Sequence, residues 1–148
     1  MADHPWLKPG DELLLDGVDY RVVATLAGHT QRFNFQRLTL ASELQGEERV
    51  LLQTDGALMQ ARALEPEVLS GEQVETEGDT FVLRWDSEVR TERTKVGVGV
   101  KFGRGRCAWY EAEDGSVAVL VVERYDRVAI LGLPMDPSRV DLRFTLGL

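Results

Sequence analysis

The sequence predicts an all-β protein with little helix, built from two tandem, related five-stranded units of meander or small-barrel type packed together. Three observations carry that expectation. Apolar and polar residues alternate at period two, glycine-containing turn pairs separate the alternating runs, and a segment near the start recurs 61 residues later. At 148 residues the chain accommodates one ordinary domain or two very small ones.

The elements follow in order. Leu13 and Leu15 share one face of a first strand, Asp16-Gly17 makes a tight turn, and Val18, Tyr20, Val22 and Ala24 line one face of a second. Phe33 to Leu40 alternates Phe33 and Phe35 with Asn34 and Gln36. Val50 to Gln53 and Ala57 to Leu64 then flank the turn pair Asp55-Gly56, and three more strands are expected beyond. The helical candidates are Ala41 to Glu48, interrupted by Gly46, and the turns around Pro66 and Pro137. None supports a helix longer than three turns.

The recurrence aligns Gly10 with Gly71, Gly17 with Gly78, Tyr20 with Phe81, Val22 with Leu83 and Ala24 with Trp85, so one face of the hairpin is preserved in both copies. Val50-Leu51-Leu52 then stands opposite Val119-Leu120-Val121, and Leu58 to Leu64 opposite Val128 to Leu133, with Phe33 and Phe35 loosely matched to Trp109 and Tyr110. The offset drifts to about seventy across this stretch, which places an inserted loop at 86–106 in the second unit. The expected units are 7–69 and 70–148, one compact structural domain overall. The hinge Glu65 to Gly71 is too short and too apolar for a flexible linker.

Composition excludes several classes of function. The chain is 43% hydrophobic and 28% charged, as in a globular protein. One cysteine excludes an internal disulfide framework, and with only His4 and His29 beside it a Cys/His zinc site is implausible. A net charge of −8 repels nucleic acid phosphates and anionic lipid on average. Met1 to Leu7 has no basic region leading into an apolar stretch, and the longest apolar run, Val117 to Val122, falls far short of the roughly 20 residues of a membrane helix. A cytoplasmic protein without membrane insertion is expected.

The chemical motifs are weak. Gly97 to Gly105 is rich in glycine like a phosphate loop, but it lacks the Gly-Lys-Ser/Thr ending, and Cys107-Ala108-Trp109-Tyr110 reads as a strand where a helix N-terminus is required. Cys107 reads as a small packing residue rather than a nucleophile, and Glu47-Glu48 and Glu111-Glu113-Asp114 as solvated turn carboxylates. No catalytic residue, cofactor or metal is assigned, and an enzyme is not expected.

One segment stands out. Between Arg84 and Arg106 lie the cations Arg84, Arg90, Arg93, Lys95, Lys101, Arg104 and Arg106 against Asp86, Glu88 and Glu92, a local +4 in a protein of −8. Trp85, Phe102, Trp109 and Tyr110 are interleaved. Four glycines, Gly97, Gly99, Gly103 and Gly105, raise the entropy cost of ordering the segment, which argues for a role beyond the core. The expected function is a non-catalytic binding or assembly module. Arg93, Lys95, Lys101, Arg104, Arg106 and Trp109 would meet a protein partner with an acidic surface. The alternative is a small-barrel nucleic-acid-binding protein using the basic aromatic segment 84–110, which the global charge disfavours.

Leu7-Lys8-Pro9-Gly10-Asp11 leading to Leu15-Asp16-Gly17-Val18-Asp19-Tyr20-Arg21-Val22, with Gly78-Asp79, Asp114-Gly115 and Val121-Val122-Glu123-Arg124-Tyr125, resembles an uncharacterised bacterial all-β domain family of unknown function. Some members of that family are encoded beside phage-shock-type membrane-stress proteins. The resemblance implies an all-β fold and a link to the membrane-stress response, and it brings no catalytic residues. The sequence departs from the family at Phe33-Asn34-Phe35, where a Trp-centred stretch is expected.

Overall fold

The computed structural model describes residues 6–44 and 46–143; His4 lies outside them. Among the described residues eleven strands run in chain order: β1 (Glu12–Leu15), β2 (Val18–His29), β3 (Asn34–Ala41), β4 (Arg49–Thr54), β5 (Leu58–Leu64), β6 (Gln73–Thr76), β7 (Asp79–Lys95), β8 (Gly99–Glu111), β9 (Val117–Glu123), β10 (Arg127–Pro134) and β11 (Val140–Arg143). The only helical turns among the described residues are 3-10 turns at Pro66–Val68 and Pro137–Arg139. The candidate helix at Ala41 to Glu48 is absent among them. There Ser42 Oγ accepts the Leu44 N–H at 3.2 Å, a local turn that competes with helix nucleation in so short a segment.

Eight strands close a barrel in the order β2-β3-β4-β5-β10-β9-β8-β7, with β7 returning to β2 through the pairs from Ala24↔Lys95 to His29↔Arg90. Every neighbouring pair is antiparallel. Closure is possible because β2 and β7 are long. The first half of β2 pairs with β1, itself flanked by β11, and the second half pairs with β7; likewise the first half of β7 pairs with β6 and the second with β2.

Local chemistry explains this path. Asp16 and Gly17 have φ of 53° and 79°, and Glu77 and Gly78 have 56° and 77°, so both hairpins turn with two consecutive left-handed residues, matching the twist of the flanking strands. Gly10 and Gly71 are also left-handed, at 97° and 81°. Beyond these turns β2 has a bulge between Val22 and Ala24, and β7 one between Leu83 and Trp85. Bulges bend a strand, and here each marks where it leaves its short partner and enters the barrel wall.

The barrel interior is filled by Phe35, Leu52, Met59, Val89, Cys107, Trp109, Val119 and Ile130, with Val117 and Val121, drawn from seven of the eight strands. An eight-stranded barrel has room for little more than its own side chains. Two further cores lie on the outside of the wall. Leu13, Leu15, Tyr20, Val22, Leu38, Leu40 and Leu51 pack with Leu7 on one flank; Leu69, Val74, Phe81, Tyr110, Ala118, Leu120 and Leu131 pack on another. Tyr20 and Phe81 occupy corresponding positions, paired across the turn with Leu13 and Val74, and both are buried.

The expected all-β architecture is thus observed, with strands of both predicted units in one wall, joined by β2–β7 and β5–β10 pairing. The register of β3 and β8, anchored by Val22↔Leu40 and Leu83↔Tyr110, places Thr39 opposite Trp109 in the correspondence and corrects the match of Phe33 and Phe35 to Trp109 and Tyr110. The loop expected at 86–106 is also corrected. These residues form the end of β7, a turn at 96–98 and the start of β8, and part of them closes the barrel. Gly103 and Gly105 permit this. A Cβ at Gly105 would overlap the Val122 carbonyl on β9, and one at Gly103 would overlap Glu123 and Thr91. Gly97 and Gly99, at φ of 79° and 99°, make the turn. The glycines are therefore required by the wall itself.

Candidate interaction surface

The β7–β8 hairpin runs past the end of the β2–β3 turn, and its register sorts its side chains onto two faces. Residues opposite one another share a face. Val89↔Gly105, Thr91↔Gly103 and Arg93↔Lys101 face inward, continuous with buried Val89, Thr91 and Cys107. Glu88↔Arg106, Arg90↔Arg104, Glu92↔Phe102 and Thr94↔Val100 face outward.

The cationic segment is therefore divided. Arg93 turns inward, its guanidinium 2.5 Å from Glu123 Oε1 and 3.0 Å from Asp126 Oδ2. Lys101 shares that face, and Lys95 stands at the same end. Arg104 and Arg106 lie outside. Arg106 is neutralised by Asp86 at 2.9 Å, and Arg84 is near Glu111 at 3.8 Å. Trp109, expected on the cationic surface, is inside the barrel at 7% exposure, its ring centroid 4.8 Å from that of Phe33, because odd positions of β8 beyond Gly105 point inward. Trp85 is half-exposed under the guanidinium of Arg32, 4.4 Å from the ring centroid.

Among the described residues, Arg90 and Arg104 make no ion pair although they are directly opposite one another. Like charges so placed destabilise a strand pair. Beside them Phe102 is 80% exposed, and Val100 is also exposed. His29 pairs with Arg90 across β2–β7; its Nδ1 is hydrogen-bonded to Asn34 Oδ1 at 3.1 Å and its Nε2 lies 3.7 Å from Glu92. An open groove of about 820 Å³ runs along this face between His29 to Gln31 and the hairpin, lined by Glu88, Arg90, Arg104 and Arg106. The groove is continuous through Arg90 and Arg104 with a second hollow containing Phe102.

Two residues of this region were not legible as site residues. Arg90 gains its meaning only from standing opposite Arg104, which needs the register. Arg37 lies on β3, far in sequence from the cationic segment, yet it occupies the inward face with Leu26 and Arg93. A charged residue between Phe35 and Thr39 on an inward-facing run was the available signal.

Cys107 is buried, and burial, reinforced by the charge of Asp86, pushes its thiol up to about 12. It is protonated at neutral pH. Among the described residues no group of three His, Cys, Asp or Glu could hold a metal ion, and no helix is long and apolar enough to cross a membrane.

Fold and surface together define a closed eight-stranded antiparallel β-barrel with three added strands, whose β7–β8 hairpin carries the cationic surface. The chain belongs to a family described as a domain of unknown function, DUF4178, whose model matches residues 8–137. No curated protein and no solved structure matches the chain.

Proposed function

We propose that the protein is a non-catalytic binding or assembly module that docks a protein with an acidic surface on the outer face of the β7–β8 hairpin. The observation that carries this reading is the unneutralised cross-strand pair Arg90 and Arg104 beside the exposed ring of Phe102. Two cations held against each other, neither within ion-pair distance of a carboxylate among the described residues, gain nothing for the strand pair and are suited to an external anion. An aromatic anchor flanked by arginine is the composition favoured at the energetic centre of protein interfaces. Arg104 and Arg106 of the expected set belong to this face, with Arg90, Phe102 and His29 added; Arg93, Lys95 and Lys101 serve the opposite face.

The resemblance to the bacterial family supports a link to the membrane-stress response, with the partner sought among proteins of that response, and the lone thiol is in keeping with a cytoplasmic setting. The paired turns, the two bulges and the corresponding buried aromatics support descent of 7–69 and 70–148 from one duplicated unit. Nucleic acid is the weaker reading. A net charge of −8 opposes it, and the one large exposed aromatic of the outer face offers a single stacking platform.

The test is site-directed photocrosslinking of the full chain in native lysate. A photoreactive phenylalanine at position 102 is expected to capture an acidic protein, and the same group at exposed Glu113, at the other end of the barrel, is expected to miss it. Equal capture from both positions would refute the assignment.

A further inference from the structure

The barrel has two mouths, and the register allows them to be compared directly. At the mouth under the β2–β3 turn, the cross-strand pair immediately past the β7 bulge is Trp85↔Trp109, and with Phe33 it lines an aromatic hollow of about 260 Å³ that holds, among the described residues, Arg32 as its one cation. At the mouth under the β7–β8 turn, the pair immediately past the β2 bulge is Ala24↔Thr39. Where one mouth has two indoles, the other has a methyl and a hydroxyl. The cavity there, about 230 Å³, is of similar size and differs in being lined by cations.

Its lining is specific. Leu26 pairs with Arg37 on one side and with Arg93 on the other, and Arg93 pairs with Lys101, so one row across four strands reads Arg37, Leu26, Arg93, Lys101. Strands lie about 4.8 Å apart, which puts the two arginines about 10 Å apart at the backbone, close enough for their side chains to converge over Leu26. Lys95 and Val98 complete the wall. Arg37 is half-buried yet makes no hydrogen bond and no ion pair among the described residues. Burial, with the nearby charge of Arg93, lowers its pKa, and Asp126 only partly opposes this. A guanidinium withdrawn from water without a partner is costly, and an anion in the cavity would supply the partner.

The charge count narrows the ligand. Four cations, Arg37, Arg93, Lys95 and Lys101, line the cavity, and the two carboxylates at its edge, Glu123 and Asp126, both engage Arg93. The surplus is two positive charges. A carboxylate would leave one of them uncompensated, whereas a phosphate monoester carries about −1.5 to −2 at neutral pH and accepts the forked donors of Arg37 together with the ammonium groups of Lys95 and Lys101. The volume is that of roughly seven to eight waters, at about 30 Å³ each, enough for a phosphate and a few carbons against Leu26 and Val98. We propose that this mouth binds a phosphate monoester, with the unpaired guanidinium of Arg37 gripping the phosphate, Arg93 beside it in its ion pairs with Glu123 and Asp126, and Lys95 and Lys101 at the rim. The site lies on the inward face of the hairpin and is independent of the outer docking face.

The experiment is titration of the full chain by calorimetry with glycerol 3-phosphate, with dimethyl phosphate as the monoanionic control, and by co-sedimentation with vesicles of phosphatidylcholine with and without phosphatidic acid. Glycerol 3-phosphate is expected to bind saturably and at least tenfold tighter than dimethyl phosphate. Arg37→Gln should weaken it at least tenfold; Lys101→Gln, on an exposed residue, provides a second variant that keeps the fold and should weaken it severalfold. Arg90→Gln with Arg104→Gln should leave it unchanged, which separates this site from the outer face. Binding only to phosphatidic acid vesicles, lost in Arg37→Gln, would support the site and identify the source as a lipid headgroup. Absence of binding in every arm, equal affinity for dimethyl phosphate, or full affinity in both variants would overturn the proposal.

Discussion

Replacing Phe81 by alanine tests whether the outer flank of the barrel wall is a true core. The ring is fully buried among Leu69, Val74, Tyr110, Leu120 and Leu131, on the face of β7 turned away from the barrel interior. Truncation removes the six ring carbons from among side chains carried on hydrogen-bonded strands, so the cost should reach the usual range for buried aromatics, about 3–5 kcal/mol. In a chain of 148 residues each kcal/mol lowers the melting temperature by roughly 2–4 °C, giving an expected drop of about 6–20 °C. Tyr20→Ala should behave alike, since Tyr20 is 4% exposed in the corresponding position. Tyr20→Phe should lie within about 0.5 kcal/mol of wild type, because the hydroxyl makes no hydrogen bond among the described residues. Urea unfolding at constant m-value is the assay. A loss below about 1 kcal/mol for Phe81→Ala would show that this cluster does not contribute to the fold as a core does.

Three further outcomes are expected. Cys107→Ala should cost about 1 kcal/mol, and the native thiol should resist alkylation until the protein unfolds, because burial keeps it protonated; rapid stoichiometric labelling of the folded protein would contradict this. Asp16 is held below the ordinary carboxylate range, chiefly by its hydrogen bonds to Arg139, both 2.7 Å, so its contribution is present above the unfolded value near 3.9 and is lost as the pH falls through the folded value. Asp16→Asn keeps a residue tolerant of the left-handed φ of 53°, and its melting temperature should fall below wild type at pH 7 and converge with it in acid. A short single-stranded oligonucleotide should bind no tighter than about micromolar at physiological salt; a submicromolar complex that weakens steeply with salt would promote the nucleic-acid reading.

The hairpins were legible because their signals are local. Asp16-Gly17 and Glu77-Gly78 specify their turns by backbone preference, and alternation specifies which of Leu13, Tyr20 and Val22 faces a core. Which core was not legible. Period two distinguishes two faces of a strand, but in this wall both faces are buried over much of its area, one in the barrel and one beneath a flank, so Leu51 and Leu52 are adjacent and equally buried in different clusters. Barrel closure was also hidden, since the β2–β7 pairing joins residues 61 to 71 apart, from His29↔Arg90 to Ala24↔Lys95, through the second halves of two strands.

The cationic segment was found, and its division was not. Composition places Arg93, Lys101, Arg104 and Arg106 together, whereas the pleat sends Arg93 and Lys101 inward and the other two outward. Of the glycines that suggested a surface insertion, Gly105 lies where β8 approaches the β9 backbone too closely for a side chain, Gly103 is enclosed by the Glu123 and Thr91 side chains, and Gly97 and Gly99 make the turn. The same geometry alters the useful variant. Removing Arg93 would strip Glu123, whose side chain is 12% exposed, of its counter-charge, so a combined substitution of all the cations would confound stability with binding.

The most direct measurement is therefore made on the outer face alone. The variant Arg90→Gln, Phe102→Ser, Arg104→Gln removes a like-charge pair and an exposed ring, so its melting temperature should stay within a few degrees of wild type. Surface plasmon resonance against the acidic protein crosslinked at position 102 should then show an affinity reduced at least a hundredfold. An unchanged affinity in this folded variant would contradict the assignment of binding to the hairpin.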